Sequence, residues 1–335
     1  MTSTFRRAVV TGGAGFLGVR LCRRLLESGA EVVCLDNLIT ASRQALPALR
    51  TWPDFDFRYC DVTEPFRVDG EVDLVLHLAS AASPADYTRL PLETLEVGSQ
   101  GTRNALALAE QKGARFILAS TSEVYGDPEV NPQPESYWGN VNPTGPRSVY
   151  DEAKRFGEAT TAAYARAGRV RAGIARIFNS YGPGMRPDDG RMVPTFACQA
   201  LRGEPVTVTG DGTQTRSLCH ADDTVRGLLL LAASDLAGPV NIGNPDEATV
   251  RDIAVRIIRL ACSTSQIRYI PRPQDDPMSR RPDISLARSA LGFQPCISWQ
   301  QGLTETIAWF SRIVNAPDGA VAATWPSPRA AGARR

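Results

Sequence analysis

The sequence lacks net charge, a long hydrophobic segment and a paired cysteine motif. Its 37 Lys and Arg against 36 Asp and Glu give a formal net charge of +1, so no broad basic surface predicts nucleic acid or an anionic membrane as partner. The longest apolar run, 227–233, is far shorter than the roughly 20 residues that span a bilayer. Because no signal-peptide pattern precedes the first predicted strand, we expect a cytoplasmic protein.

The seven cysteines are scattered without a CxxC pair, at positions 22, 34, 60, 198, 219, 262 and 296. They are interpreted as reduced, mostly buried thiols rather than disulfides or metal ligands, and no metal site is predicted. With 335 residues, 43% hydrophobic and 22% charged, the chain can bury a large core and form two lobes. Internal repeats are absent as well.

The N-terminal part of the sequence has the pattern of a strand, a glycine-rich turn, a helix and a second strand, in that order. Residues 8–11 form an apolar run, 12–18 read GGAGFLG, and 31–36 form a second apolar run that ends in Asp36. In this arrangement the glycines allow a tight turn and close approach of a pyrophosphate to the helix N-terminus. An acid about 20 residues further on binds the ribose 2′-hydroxyl and repels a 2′-phosphate. The pattern predicts dinucleotide binding, with NAD favoured over NADP.

A second cluster joins residues 120–126, STSEVYG, to Tyr150 and Lys154. The first segment follows the apolar run 115–119, so its polar side chains emerge at the carboxyl end of a buried strand, where open α/β sheets bind ligands. The two later residues are four apart on a predicted helix and share one face. A phenol beside an ammonium can remove a proton from an alcohol, provided that the pair is not a chance feature of the surface.

The tyrosine needs help to act as a base. Its ordinary pKa of ~10 must fall by roughly 3, which corresponds to ~4 kcal/mol. One neighbouring cation typically lowers a pKa by about 1–3. Lys154 is expected to supply much of this change, and a positively charged nicotinamide ring the rest.

The strand and helix pattern continues through the first half of the chain. Strands are predicted at 57–61, 72–78, 115–119 and 170–178, and helices at 92–112 and 150–167. This alternation predicts an α/β fold, a Rossmann-like doubly wound parallel sheet with a smaller C-terminal α/β substrate-binding lobe. The predicted NAD-binding domain is 1–178 plus about 222–243, the lobe is 179–221 and 244–314, and 315–335 is a disordered tail.

Together these segments resemble the extended short-chain dehydrogenase/reductase superfamily and, within it, the UDP-glucuronate decarboxylases, or UDP-xylose synthases. The resemblance runs from about residue 5 to residue 310. It rests on HLAS (77–80), STSEVYGDP (120–128), ESYWGNVNPTGPRSVYDEAKR (135–155), RIFNSYGP (176–183), GDGTQTRS (210–217) and DDPMSRRPDI (275–284).

The resemblance implies decarboxylation of UDP-glucuronate with a tightly bound NAD that is recycled in each turnover. Tyr150 would remove the C4″ hydroxyl proton, Lys154 would support it, and Thr121 would bond the C4″ oxygen. After oxidation at C4″ the sugar is a β-keto acid, which loses CO₂ and is reduced to UDP-xylose or released as a UDP-4-keto-pentose. Ser122, Glu123 and Arg280 match the positions assigned to decarboxylation. Of these, Glu123 and Arg280 are expected to position the ring and to assist proton delivery to C5″.

The remaining site predictions concern binding. The cofactor set is Gly12, Gly15, Phe16, Leu17, Gly18, Asp36, Asn37, Asp61, Val62, Leu78, Ala79, Ser80, Tyr150 and Lys154. The resemblance implies a substrate set of Tyr87, Asn179, Arg191, Val193, Arg216 and Arg280, with Asn179 and Arg216 at the diphosphate. It also implies a homodimer through a four-helix interface built from the helices near 92–112 and 150–167.

Two other functions stay open at this stage. The first is a 4,6-dehydratase or 4-epimerase of another nucleotide sugar, although dehydratases carry Asp where Ser122 stands. The second is a non-catalytic NAD-binding sensor. Single residues also have ordinary structural explanations: Glu123 could bond backbone amides, Arg280 could be solvated, and His77 is interpreted as a packed histidine.

The sequence departs from the family pattern at four places: Ala81, Gly184, Thr209 and His220. Ala81 replaces a proline in the segment expected over the nicotinamide, and Gly184 moves an arginine by two positions. Thr209 and His220 replace aromatic residues near the nucleotide or the predicted dimer surface. We expect them to affect substrate choice and product release rather than the class of reaction.

Overall fold

The computed structural model describes residues 4–41 and 46–315. The predicted disordered tail, 315–335, therefore lies outside the described residues apart from Asn315. The strands are β1 (Arg7–Thr11), β2 (Glu31–Asp36), β3 (Phe55–Tyr59), β4 (Leu74–His77), β5 (Arg115–Thr121), β6 (Ala172–Ile177), β7 (Ser180–Tyr181), β8 (Val206–Thr209), β9 (Thr215–Ser217), β10 (Cys219–His220), β11 (Val240–Ile242), β12 (Glu247–Thr249) and β13 (Ile267–Ile270).

Helices connect and cover these strands. They are α1 (Phe16–Glu27), α2 (Leu46–Leu49), α3 (Pro84–Arg89), α4 (Pro91–Glu96), α5 (Thr102–Lys112), α6 (Ser148–Arg166), α7 (Met192–Leu201), α8 (Ala221–Ala232), α9 (Val250–Leu260), α10 (Ser285–Leu291) and α11 (Trp299–Val314). Within the described ranges, none of them combines the length and apolar character needed to span a membrane.

A seven-stranded sheet forms the centre of the described structure, in the order β11-β6-β5-β4-β1-β2-β3. All neighbouring strands in it are parallel. The order reverses beside β1, which lies between β2 and β4, and such a switch point is where doubly wound sheets bind ligands. The predicted Rossmann-like fold is confirmed.

Side-chain alternation along the strands builds a core on each face of the sheet. In β1, Ala8 and Val10 face the cluster under α1 and α8, whereas Val9 faces the cluster under α5. Both faces of the sheet are covered because successive side chains of a strand point in opposite directions. Because β1, β4 and β5 are parallel neighbours, their carboxyl ends meet at one edge of the sheet.

The second lobe has its own hydrophobic core, which α7, α9 and α11 share with β8. Short strand pairs, β8 with β13 and β9 with β12, complete the lobe. Helix α8 and strand β11 belong to the main sheet and its core. Helix α10 also packs against that core through Ala287, although it lies within the predicted lobe range 244–314.

The helix predicted at 92–112 runs without a break from Pro91 to Lys112, but its middle is π-helical rather than α-helical. A π-helical turn, Val97–Gly101, separates α4 from α5. A Cβ atom at Gly98 would lie 2.5 Å from the Cβ of Ala153 on α6. Because the two helices approach this closely, the turn brings α6, which carries Tyr150, against the rest of the domain.

Candidate active site

One cavity of about 1670 Å³ extends along the carboxyl edge of the sheet and into the second lobe. Every residue predicted for catalysis, cofactor or substrate lines it: Gly12, Gly15, Phe16, Leu17, Gly18, Asp36, Asn37, Asp61, Val62, Leu78, Ala79, Ser80, Tyr87, Thr121, Ser122, Glu123, Tyr150, Lys154, Asn179, Arg191, Val193, Arg216 and Arg280. The structure thus brings together residues that are far apart in the chain, while their individual roles stay predictions.

The glycine turn between β1 and α1 has no room for side chains. Gly12 has φ +68°, and a Cβ there would lie 2.6 Å from the backbone nitrogen of Ala79. A Cβ at Gly18 would lie 2.2 Å from the carbonyl oxygen of Gly12. Helix α1 begins after Gly15 with no side-chain cap, which leaves its first N–H groups and its positive dipole end available to a phosphate. These features fit the pyrophosphate of a dinucleotide.

Asp36 ends β2 at the rim of this turn. Its Oδ2 accepts from the Ala14 amide at 3.0 Å, and its Oδ1 accepts from the Leu38 amide at 2.7 Å. Burial raises the pKa of this carboxyl, while the two backbone hydrogen bonds lower it. Nearby, Asn37 Nδ2 donates to Asp61 at 3.2 Å. This fixed carboxylate fits a ribose better than a 2′-phosphate, which its charge would repel.

Tyr150 and Lys154 lie on one face of α6, beside the segment 120–126 at the end of β5. Lys154 Nζ donates to the carbonyl oxygen of Ala119 at 2.9 Å and lies 5.9 Å from the centre of the Tyr150 ring. The ring of Tyr87 stacks on that of Tyr150, with centroids 5.3 Å apart and planes 10° apart. The Tyr150 ring is therefore buried with Tyr87 and Lys154 as neighbours.

Burial changes the expected electrostatics of this pair. It raises the pKa of Tyr150 to about 12, although the charge of Arg191 and a hydrogen bond from Thr121 act in the opposite direction. Burial also lowers the pKa of Lys154 to about 8. Without a bound dinucleotide, the cost of burying the phenolate outweighs the neighbouring charges. The expectation that Lys154 and a positively charged nicotinamide ring lower the pKa of Tyr150 therefore stays a prediction. Arg191, which the resemblance placed at the sugar, is a further cation that favours ionisation of Tyr150.

Glu123 lies between two arginines. Its Oε2 accepts from Arg147 Nη2 at 2.6 Å, and its Oε1 accepts from Arg280 Nη1. Although burial raises its pKa, the two guanidinium groups dominate and hold the pKa at about 2. The carboxylate is thus bound by side chains rather than by backbone amides, and Arg280, only 3% exposed, is not a solvated residue.

Arg147 lines this cavity and contacts Glu123, yet it belongs to none of the predicted residue sets. It directly precedes α6, three residues before Tyr150, and it lies in the quoted motif that ends in SVYDEAKR. Its contact with Glu123 spans 24 positions of sequence, so no local periodicity could indicate it. The only available signal was its position beside the predicted base.

The cavity also carries groups suited to an anion: Asn179, Arg191 and Arg216. Arg216 Nη2 donates to Asp276 Oδ2 at 3.0 Å, and burial lowers the pKa of this guanidinium. Among the described residues, the side-chain nitrogen Nδ2 of Asn179 is buried without a hydrogen-bond partner. Arg191 Nη2 donates to the carbonyl oxygen of Ala82 at 2.6 Å. A diphosphate would satisfy the free amide and pair with Arg216.

The departures from the family pattern have definite places. Ala81 is buried against Tyr87 and Tyr150, and Gly184 and Thr209 line the cavity. His220 is buried, and its Nδ1 accepts from the amide of Asp222 at the start of α8. His77 is also buried, with its Nδ1 2.7 Å from Thr11 Oγ1, and burial lowers its pKa to about 3. A packed, neutral histidine agrees with the interpretation of His77.

A Rossmann-like sheet with a glycine turn, a buried Tyr–Lys pair and a threonine beside the phenol defines a dehydrogenase-like enzyme that works on a bound dinucleotide. The model of the NAD dependent epimerase/dehydratase family matches residues 8–243. The chain belongs to this family.

Curated relatives and solved structures narrow the similarity. The chain is 47% identical over 307 residues to UDP-glucuronic acid decarboxylase 1 of Danio rerio, covering 92% of this chain and 73% of the relative. It is 47% identical over 298 residues to UDP-glucuronic acid decarboxylase 3 of Arabidopsis thaliana, covering 89% and 86%. A dTDP-glucose 4,6-dehydratase of Streptomyces venezuelae, solved with NAD bound, has a TM-score of 0.82 at 29% identity, covering 91% and 96%.

Proposed function

We propose that this protein is an NAD-dependent UDP-glucuronate decarboxylase, a lyase that converts UDP-glucuronate to UDP-xylose and CO₂. The observation that carries the proposal is the single cavity in which the Tyr150–Lys154 pair lies beside Glu123 and Arg280. Relatives that share 47% of its residues and bear this name support it. When bound, NAD supplies a hydride acceptor and donor next to the sugar.

In the first step Tyr150 takes the C4″ hydroxyl proton while Thr121 hydrogen-bonds the same oxygen. The phenolate form of Tyr150 is costly because the side chain is buried. The charge of Arg191 and the hydrogen bond with Thr121 lower the pKa of Tyr150 and so favour that form. Lys154 holds the end of β5 through Ala119 and is available to the nicotinamide ribose. The step leaves a ketone at C4″.

The second step is the loss of CO₂. The ketone lies β to the C5″ carboxylate, so the electron pair of the C5″–C6″ bond can move into an enolate as CO₂ departs. Tyr150, now protonated, stabilises that enolate by donating to its oxygen. Glu123, Arg280 and Ser122 surround the reacting end of the sugar. Because its pKa is about 2, Glu123 is an anion at neutral pH, so it orients groups there rather than giving up a proton of its own.

The last step adds a solvent-derived proton at C5″, then a hydride at C4″ and the Tyr150 proton at the C4″ oxygen, which yields UDP-xylose and returns Tyr150 to its base form. Since the dinucleotide ends the cycle in its starting form, we infer that NAD stays tightly bound and is recycled. Early escape of the ketone would give a UDP-4-keto-pentose instead. The closed glycine turn and the buried Asp36 support retention of the cofactor.

A 4,6-dehydratase or 4-epimerase is the second candidate, because a solved dehydratase shares the fold. Ser122 argues against the dehydratase, since a hydroxyl does not replace the acid that elimination of water at C6″ requires. A non-catalytic sensor is disfavoured by the intact Tyr150, Lys154 and Thr121.

Several broader expectations remain proposals. The separate cores of the sheet and the lobe support the division into an NAD-binding domain and a nucleotide-sugar-binding lobe. Leu92 and Leu95 on α4 and Phe156 on α6 are exposed, which supports a homodimer through these helices. A cytoplasmic location rests on the sequence alone.

The proposal is tested by incubating the protein with UDP-glucuronate and NAD and identifying the products by mass spectrometry and NMR. A UDP-pentose that has lost CO₂ is expected, and UDP-glucose or dTDP-glucose should remain unchanged. Turnover of either hexose beside intact UDP-glucuronate would favour the second candidate.

A further inference from the structure

Arg147 occupies the centre of the charged part of the cavity. Its side chain is 19% exposed, and it lines the same cavity as Tyr150. Nη2 lies 2.6 Å from Glu123 Oε2, and Nη1 lies 3.9 Å from Asp276 Oδ1. Arginine suits this position because its planar fork can face two carboxylates at once, which a lysine ammonium does less well.

These contacts form one continuous chain of ion pairs. Arg280 and Arg147 hold the two oxygens of Glu123. Arg147 then faces Asp276, whose other oxygen is 3.0 Å from Arg216. Arg147 therefore connects the group predicted at the diphosphate to the group predicted at the sugar.

Glu123 depends on both of its arginines. Burial by itself would raise its pKa, and only the two guanidinium groups reverse that direction. When the Arg147 guanidinium is removed, the buried Glu123 carboxylate keeps only Arg280 as its cationic partner. The pKa of Glu123 should therefore rise, and its Oε2 loses the Arg147 contact. Loss of Arg147 should thus change both the charge and the orientation of Glu123 without removing Glu123 itself.

We propose that Arg147 is a positioning residue for decarboxylation: it fixes Glu123 as an oriented anion beside C5″, in concert with Arg280. The inference rests on the proposed function. It assigns the oxidation step to Tyr150, Lys154 and Thr121, so that step should not require Arg147.

Other charged or titratable groups also face Glu123 and must be kept unchanged in a test. They come from β9, α3, α6 and the segment after β13: Arg216, Tyr87, Tyr150, Asp151 and Arg280. Arg147 and Arg280 contact the Glu123 carboxylate directly, and of these two Arg147 is the one outside the predicted catalytic set.

The experiment compares Arg147→Gln and Arg147→Lys with wild type and with Arg155→Gln. Arg155 lies on α6 and donates to the carbonyl oxygen of Val124 at 3.0 Å, but it is outside the cavity lining. In single turnovers with UDP-glucuronate, CO₂ is measured, and the UDP-4-keto-glucuronate that has not decarboxylated is trapped with borodeuteride. The ratio of CO₂ released to C4″ oxidised should fall on the order of 10- to 100-fold in Arg147→Gln. It should fall less in Arg147→Lys and stay unchanged in Arg155→Gln.

A second readout is the pH profile of CO₂ release. Wild type should show no loss from protonation of Glu123 near neutrality, whereas Arg147→Gln should gain an acidic limb as the pKa of Glu123 rises. The carboxylic acid band of Glu123 in infrared spectra, identified with Glu123→Gln, should appear at the same pH. Should Arg147→Gln fail to fold, Arg147→Lys, which keeps the positive charge but not the planar fork, carries the first readout: its ratio of CO₂ released to C4″ oxidised should still fall below that of wild type.

The outcomes separate the two hypotheses. No CO₂ from wild type overturns the proposed function. CO₂ from wild type, with both steps slowed equally in the Arg147 variants and no new acidic limb, overturns the positioning role and leaves a structural one.

Discussion

At the scale of single residues, two neighbouring carboxyl groups have opposite environments. Glu123 has its pKa lowered to about 2 by its two arginines. Asp151, beside Tyr150 on α6, has its pKa raised to about 7, first by burial and then by repulsion from Glu123. One of its oxygens, Oδ1, is buried without a hydrogen-bond partner in the described part of the chain. Two carboxyl groups whose pKa values are shifted in opposite directions are common where a site needs one anion and one proton carrier.

Asp151 gives a stability prediction with a definite sign. Its ordinary pKa is 3.8 and its folded pKa is about 7, so the folded state keeps a proton that the unfolded state has lost. Stability from this group is therefore present below about pH 4, falls as the pH rises towards 7, and stays low above that. Asp151→Asn should remove this loss, so its free energy of unfolding at pH 8 should exceed that of wild type by on the order of 2–4 kcal/mol.

Urea unfolding of both proteins at pH 4, 6 and 8 measures this difference. The two stability curves should diverge as the pH rises. Parallel curves would mean that Asp151 is already ionised at low pH in the folded protein.

At the scale of elements, the glycine turn determines how closely β1, α1 and the end of β4 approach. A methyl group at Gly18 would meet three backbone atoms of the turn, the nearest at 2.2 Å. Gly157 in α6 is a matched control, because a methyl group there would lie 3.5 Å from Leu118 and Thr102.

Gly18→Ala should lower the NAD content of the purified protein at least about tenfold, because the turn must open to relieve the clash. Gly157→Ala should keep its NAD and gain roughly 0.5–1 kcal/mol, because alanine favours a helix interior over glycine. Chromatography of NAD from the denatured proteins and thermal unfolding measure the two effects. Equal NAD content in both variants would show that the turn is not where the pyrophosphate binds.

Some of the residues that were predicted for this site and that line the cavity belong to local patterns. Glycines spaced along one turn, and a Tyr and a Lys four apart on a helix, keep their relation wherever the elements lie. The clamp on Glu123 could not be predicted as a whole, because Arg147 is 24 and Arg280 is 157 positions away. The direction of the Tyr150 pKa also depended on burial, which only the packed structure defines. The π-helical turn could not be predicted without knowing that Gly98 packs against Ala153 of α6.

At the scale of the whole molecule, apolar side chains remain exposed on the two helices predicted to form a dimer. Leu92 is 70% exposed and Phe156 is 48% exposed. Their burial against a second copy would contribute roughly 25 cal/mol per Å² of apolar surface, and association would remove an exposed apolar surface.

Wild type should therefore have the mass of a dimer in light scattering, and Leu92→Glu with Phe156→Glu should have the mass of a monomer. Tyr269→Glu, at a 49% exposed aromatic position in the lobe, should stay dimeric. A wild-type monomer, or a dimer that survives the double change, would contradict this interface.

The central claim is that one cavity oxidises UDP-glucuronate at C4″ and then removes its carboxyl group. The most direct measurement uses UDP-glucuronate labelled with carbon-13 in the carboxyl group, together with NAD in deuterated water. The label should leave as CO₂, and the UDP-pentose should carry deuterium at C5″. Label retained in a nucleotide sugar, whether epimerised or unchanged, would contradict it.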